Sequence, residues 1–199
     1  MTTYRPTIAI AFHSGHGHTA VIAEAVARGA AEGGRADVVS IAVDTITDEQ
    51  WEQLDAADAI VFGSPTYMGT ASGAFHAFAE ATSKRWFTSM WGDKLAAGFT
   101  NSGSKAGDKH HTLHFFQTLA AQHGMNWVNL GLHPGWNSST ASENDLNRLG
   151  YFSGVGTQTP VDGGPEAVHK ADIATAEHLG ERVAKQAAIV AAGRAALSI

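Results

Sequence analysis

Thr7-Ile8-Ala9-Ile10-Ala11-Phe12-His13-Ser14-Gly15-His16-Gly17-His18-Thr19 decides how the rest of the chain reads. The stretch from Thr7 to Phe12 is a short apolar run, the signature of a strand covered on both faces. Ser14 to Thr19 is a small, polar, Gly-rich turn. From Thr19 to Ala31, Ile22, Ala25, Val26 and Gly29 recur at helical spacing, and Gly33-Gly34 ends the pattern. A buried strand, a glycine turn and a helix in that order begin a parallel α/β sheet.

The same order recurs twice. Asp58–Phe62 reads as a strand, Gly63-Ser64-Pro65-Thr66-Tyr67-Met68-Gly69 as its turn, and Ser72 to about Lys84 as the helix. Lys94–Phe99 is followed by the turn Thr100-Asn101-Ser102-Gly103-Ser104-Lys105-Ala106-Gly107. The helix after it, Lys109–His123, ends at Gly124. Elsewhere Ala36–Ala42 reads as the second strand and Asn126–Leu130 as the fifth. Thr47 with Gln50 makes a capping box for a helix through Leu54. Gly164-Pro165 is expected to open the last long helix, with Ile173, Ala176, Gly180, Val183, Ala187 and Val190 on its core face. The alternation predicts one domain over 1–199 with a doubly wound parallel sheet and an irregular insertion at about 131–164. Loops of that length are usually functional or involved in assembly.

Composition excludes several classes. The net charge of -6 argues against a nucleic-acid groove and a polybasic membrane surface. The absence of cysteine removes disulfides, thiol redox centres and Cys-ligated metals. Met1-Thr2-Thr3-Tyr4-Arg5-Pro6 lacks a secretory apolar region, and no run approaches the length of a membrane span. A cytoplasmic enzyme or carrier is expected.

In a parallel sheet the three turns emerge at one rim, outside the carboxyl ends of the strands, where open α/β sheets bind ligands. The first turn offers backbone N–H groups, the Ser14 and Thr19 hydroxyls and a helix N-terminus, which together form an anion site. Gly15 and Gly17 allow close backbone approach, and His16 and His18 add charge or hydrogen bonds. Gly15-x-Gly17-x-x-Ala20, with Asp44 after the second strand, also satisfies the dinucleotide fingerprint. A nicotinamide-type sheet has about six strands in full form, and five are legible. Pro65, Thr66, Tyr67, Met68 and Gly69 suit the wall of a flat conjugated ring. Asn101, Ser102, Gly103, Ser104, Lys105, Ala106 and Gly107 suit the oxygens and nitrogens of its pyrimidine-like edge. These features point to a flavin mononucleotide (FMN) site.

The same residues resemble a known family. Ser14–Thr19 is similar to the phosphate loop of the flavodoxin superfamily. Phe62–Gly69 with Ser72-Gly73, then Phe99–Ser104, then Gln122-His123-Gly124-Met125, resemble the NAD(P)H:quinone oxidoreductases also called tryptophan-repressor-binding-protein-like flavoproteins. The resemblance runs with gaps from about residue 7 to 185. It implies a flavodoxin-like three-layer sandwich with a five-stranded parallel sheet in the order 2-1-3-4-5. It also implies bound FMN and a homodimer or homotetramer with sites near subunit contacts. Carried over, Ser14 to Thr19 hold the phosphate, Thr66 to Met68 line the ring, and Asn101 to Gly107 close its other edge. His16, Trp86 and His123 serve the second substrate. Gln122 counts among the cofactor-binding residues that the resemblance implies, since it stands where the family often has the first His of His-His-Gly, close to the flavin; Gln cannot become cationic near neutral pH.

The resemblance implies two-electron transfer from NADH or NADPH to a quinone-type acceptor by a ping-pong route, with the chemistry carried by the flavin and no catalytic side chain. A flavodoxin-type electron carrier with a protein partner is the alternative. A metal protein is a further rival, suggested by His110-His111-x-x-His114 and His13-x-x-His16-x-His18. No Glu follows His110 and no Cys is present, so no metal is expected.

Overall fold

In the computed structural model, which describes residues 4–198, the run that opens the chain's reading is strand β1 (Thr7–Phe12). Residues 1–3 and 199 lie outside the described residues, and with them the first part of the expected leader-free N-terminus and both ends of the domain expected over 1–199. β1 pairs in parallel with β2 (Asp37–Ala42) on one side and with β3 (Ala59–Tyr67) on the other. β4 (Thr70–Ala71) folds back antiparallel on the end of β3, and β5 (Leu95–Ser102) pairs in parallel along β3. Two short segments share the last position. β6 (Asn126–Trp127) pairs with Leu95 and Ala96, and β7 (Val155–Gln158) pairs with Phe99 to Ser102. The main path β2-β1-β3-β5-β6 is the expected 2-1-3-4-5 order of a flavodoxin-like sheet.

Side-chain alternation distributes the core. Ile8 and Ile10 of β1 join Val61 and Ala97 on one face, beneath α1 (His18–Ala31) and α6 (Lys170–Leu197). Ala9 and Ala11 face the opposite way with Ile60 and Phe62. That side is covered by α2 (Asp48–Ala56), α3 (Gly73–Ala81) and α5 (Lys109–Gln122) through Leu54, Phe75 and Phe116. α1 and α6 meet at two glycines. A Cβ on Gly29 would overlap the Glu177 carbonyl, and one on Gly180 would overlap the Val26 carbonyl. The backbones pack against each other with no side chain between them.

Several expectations need correction. The third and fourth strands do not stop at Phe62 and Phe99. Gly63–Pro65 and Phe99–Asn101 go on pairing with each other, β4 pairs with Thr66 and Tyr67, and β7 pairs with Phe99–Ser102. The fifth strand leaves the sheet after Trp127, and the stretch read as an irregular insertion supplies β7 in its place. The third helix breaks at Thr82, whose hydroxyl donates to the Ala79 carbonyl at 2.7 Å, and a short α4 (Ser83–Phe87) follows. Pro165 opens a separate 3-10 turn, Pro165–Ala167. The long helix begins three residues later, with His169 Nδ1 accepting from the Ala171 N–H. The Thr47–Gln50 capping box forms, and Gly124 takes the left-handed conformation that ends α5. No described helix is long and apolar enough to cross a membrane.

Candidate functional site

The three turns do meet at one rim. A cavity of about 540 Å³ there is lined by His16, His18 and Thr19 from the first, Pro65 to Met68 from the second, and Asn101 to Gly103 from the third, with Thr159 and Val161. A second cavity of about 780 Å³ adjoins it and shares Thr66, Met68, Ser102, Gly103 and Val161. Gly69, Ser104 and Gly107 extend its wall.

Each turn is built for close approach. Gly17 is the N-cap of α1 with φ 86° and provides no side-chain cap, so the amides of the first turn lack intrahelical partners. Ser14 Oγ accepts from the Ala20 N–H at 3.1 Å and keeps its own proton to donate. A Cβ on Gly15 would lie 2.5 Å from the Tyr67 hydroxyl, and one on Gly17 would lie 2.7 Å from Pro165 Cγ. Glycine is therefore needed where the phosphate loop is pinched between the second turn and the Pro165 segment. His18 Nε2–H donates to the Gly163 carbonyl at 2.8 Å, tying that segment over the loop. His16 is exposed, its ring edge-on to Tyr67 at 6.3 Å.

The second turn is a hairpin tip. Met68 and Gly69 both have positive φ, 49° and 84°, which matches the twist of a two-residue hairpin. Met68 is fully exposed and Tyr67 partly so, placing two apolar surfaces over the cavity mouth. Burial pushes the Tyr67 phenol up, so it stays a donor at neutral pH. The Thr66 and Asn101 side chains are occupied elsewhere. Thr66 Oγ1 bonds Thr100 and Thr112 at 2.8 and 2.7 Å, while Asn101 Nδ2 donates to Thr157 and Thr159 at 2.8 and 2.9 Å. Those positions offer a ligand mainly their backbone.

Residues from the excursion after β6 hold the third turn. Gln158 Nε2 donates to the Gly103 carbonyl at 3.0 Å, and the Tyr151 hydroxyl to the Ala106 carbonyl at 2.9 Å. Lys105 turns outward, its Nζ 4.8 Å above the Trp136 ring. Lys109 is fully buried below the turn. Thr159, Val161, Gln158 and Asp162 are wall residues the sequence reading missed. The signal available for them was Pro160-Val161-Asp162-Gly163-Gly164, a fourth Gly-rich turn after a very short strand.

Trp86, Gln122 and His123 are not part of this rim. They line a different cavity of about 590 Å³ with Phe87 and Asp93, beside the start of β5. The length of β5 separates the two places by roughly 23 Å at the usual strand rise. His123 is buried against Trp91, with Nε2 2.9 Å from Thr82 Oγ1, and burial lowers its pKa. The chain turns back at the amino end of the strand, so a residue between α5 and β6 sits opposite the carboxyl-end turns. Asp44 lies in the 3-10 turn after β2 and lines neither rim cavity. The clustered histidines also separate. His18 bonds Gly163, His111 Nδ1 bonds the Gly69 carbonyl at 2.8 Å, and no group of three metal-ligating side chains converges among the described residues.

The donor set fits FMN. An uncapped helix start and a hydroxyl suit a phosphate, and an apolar hairpin facing a backbone-rich wall suits a flat polar-edged ring. The cavity volumes fall in the range of small-molecule sites.

Comparison with known proteins agrees. The family model for NADPH-dependent FMN reductase matches residues 9–132. The chain is 44% identical over 177 residues to flavodoxin FldP of Pseudomonas aeruginosa, covering 88% of this chain and 94% of that one. It is 31% identical over 202 residues to an NAD(P)H dehydrogenase (quinone) of Archaeoglobus fulgidus, covering 90% and 96%. A solved flavodoxin, WrbA-like protein from Agrobacterium tumefaciens superposes with TM-score 0.72 at 39% identity, covering 92% of this chain and 97% of that one. The chain belongs to the NADPH-dependent FMN reductase family, in its flavodoxin-like, WrbA-like branch, and is a flavin oxidoreductase that takes FMN and NAD(P)H.

Proposed function

We propose that this protein passes two electrons from NAD(P)H to a quinone-type acceptor in a ping-pong cycle at the rim cavity. The observation that carries the reading is the convergence of the uncapped α1 N-terminus, the Tyr67–Met68 hairpin and the Asn101–Gly103 wall on one cavity. When bound, FMN supplies the two-electron chemistry between the nicotinamide and the acceptor. The chain binds and orients. The amides of His18 and Thr19 and the Ser14 hydroxyl hold the phosphate. Tyr67 and Met68 cover the ring and exclude water. Backbone groups of Thr66 and Asn101 to Gly103 face its polar edge, where donors stabilise developing negative charge.

The cluster at Trp86, Gln122 and His123 serves the acceptor only if a second copy brings it to the rim. Trp86 and Phe87 are exposed there, which supports a homodimer or homotetramer. The working compartment is the cytoplasm.

The test is one cuvette: the absorbance spectrum of the purified protein, then anaerobic NADPH, then benzoquinone. Bleaching by the nicotinamide and recovery with the quinone support the reading. An FMN-loaded protein that no nicotinamide reduces supports the second reading, a flavodoxin-type carrier. That alternative is favoured by the name of the Pseudomonas relative.

A further inference from the structure

Lys109 is the first residue of α5, and its side chain is completely buried. Lysine is rarely found so deep unless partnered. Its ammonium donates to Ser102 Oγ at 2.9 Å and to the Ser104 carbonyl oxygen, and it lies 6.0 Å from the centre of the Tyr151 ring. Both acceptors belong to the cavity walls. Ser102 lines both rim cavities and Ser104 lines the larger one.

No carboxylate neutralises this charge directly. Among the described residues Lys109 takes part in no ion pair. The carboxylate that acts on it is Asp172 of α6, and Arg148 already grips that group with two hydrogen bonds. The buried set of Lys109, Arg148 and Asp172 therefore keeps one net positive charge. Tyr151 is neutral near pH 7, its pKa raised by burial, and Asp108 beside Lys109 in the chain is exposed. Burial lowers Lys109 to about 8, which leaves it mostly protonated at neutral pH.

Location says what the charge is for. The phosphate loop follows β1 and the third turn follows β5, with β3 between them. Two strand spacings, roughly 10 Å, therefore separate Lys109's turn from the phosphate cradle. The charge lies at the ring side of the site.

We propose that Lys109 sets the redox poise of the bound cofactor, its buried ammonium behind Ser102 and Ser104 stabilising the negative charge that the ring gains on reduction. The proposal rests on the FMN reading of the rim. In the reduction, two electrons and one proton enter the ring and NAD(P)+ leaves, so the ring gains one unit of negative charge. A fixed cation in a dry wall stabilises that charge without reorganisation. Lys109 acts through the wall, so it is a positioning and tuning residue.

The test compares full-length wild type with Lys109→Gln, which removes the charge and keeps a donor, and Lys109→Arg, which keeps the charge. Affinity for oxidised FMN is measured by fluorescence quenching, and the two-electron midpoint potential by anaerobic dye titration at pH 7. The Gln variant is expected to bind oxidised FMN within about threefold of wild type. Its reduced form is expected to bind about tenfold more weakly, a fall of about 30 mV in midpoint for a two-electron couple. The Arg variant stays near wild type. If both redox forms weaken equally and the potential does not move, Lys109 only braces the turn and the proposal is overturned, while the FMN site stands. Wild type that takes up no FMN overturns both. Should the Gln variant not fold, the wild-type potential from pH 7 to 10 decides. Loss of the Lys109 proton makes it fall more steeply than about 30 mV per pH unit, and a constant slope at that value overturns the proposal. Of the groups that face Lys109, Tyr151 titrates above that window, because burial raises its phenol.

Discussion

Arg148 Nε and Nη2 reach the two carboxylate oxygens of Asp172 at 2.8 and 2.9 Å, with side chains only 4% and 3% exposed. The same carboxylate accepts the Gln158 N–H at 3.0 Å. This pair fastens the excursion after β6 to α6 at the point where β7 ends, and β7 in turn braces the third turn. Breaking one half leaves the other buried and uncompensated, which costs about 3–5 kcal/mol. Arg148→Met is expected to lose that much in urea unfolding, and Arg148→Met with Asp172→Leu clearly less. A double variant as unstable as the single would show that the pair itself supplies the stability.

Gly29 and Gly180 allow α1 and α6 to touch backbone to backbone. Alanine at either is expected to force the helices apart, at about 1–3 kcal/mol each. The two costs should be less than additive because they relieve one contact. Thermal unfolding of both singles and the double checks this.

Gly17→Ala tests the phosphate loop. The residue has φ 86°, and a Cβ there would press on Pro165. FMN affinity is expected to fall at least tenfold while far-UV circular dichroism is unchanged. Titration with riboflavin, which lacks the phosphate, should show a much smaller effect.

Lys109 gives stability a pH signature. Its folded pKa of about 8 lies below the ordinary 10.5, so between those values the unfolded chain binds more protons. Stability from this residue therefore rises as pH increases from about 8 to 10.5, by roughly 3 kcal/mol at most, and is lower by that amount below pH 8. The difference in unfolding free energy between wild type and Lys109→Met should shift in that direction across the window. A difference independent of pH would show that burial does not lower the Lys109 pKa in the folded protein.

The face carrying Trp86 and Phe87 is the proposed contact between copies. Phe87→Asp is expected to lower the mass seen by light scattering and to reduce quinone turnover, with FMN retained. An unchanged mass with unchanged turnover would assign the cluster no part in either.

The sequence made the early parts of the sheet legible because period and punctuation agree there. Thr7–Phe12 is apolar on both faces, and Gly15 and Gly17 follow immediately. The Thr47–Gln50 box forms within four residues, so no distant contact can override it. Legibility ended at β7. Val155-Gly156-Thr157-Gln158 has no length or alternation to mark a strand. It becomes one only because the edge of β5 is free beyond Ala96. Lys105, the cation within the third turn, turns outward to Trp136. Lys109, two residues past Gly107, is the buried one.

Local chemistry along the chain determined the order of strands, turns and helices, and with it the rim where Ser14–Thr19, Pro65–Gly69 and Asn101–Gly107 converge. Those signals depend on neighbours a few residues apart. The tertiary structure alone decided which polar side chains brace one another, that residues 155–162 complete the wall, and that Gln122 and His123 face the other end of the sheet. These depend on groups far apart in sequence meeting where water is excluded, and only the folded chain brings them together.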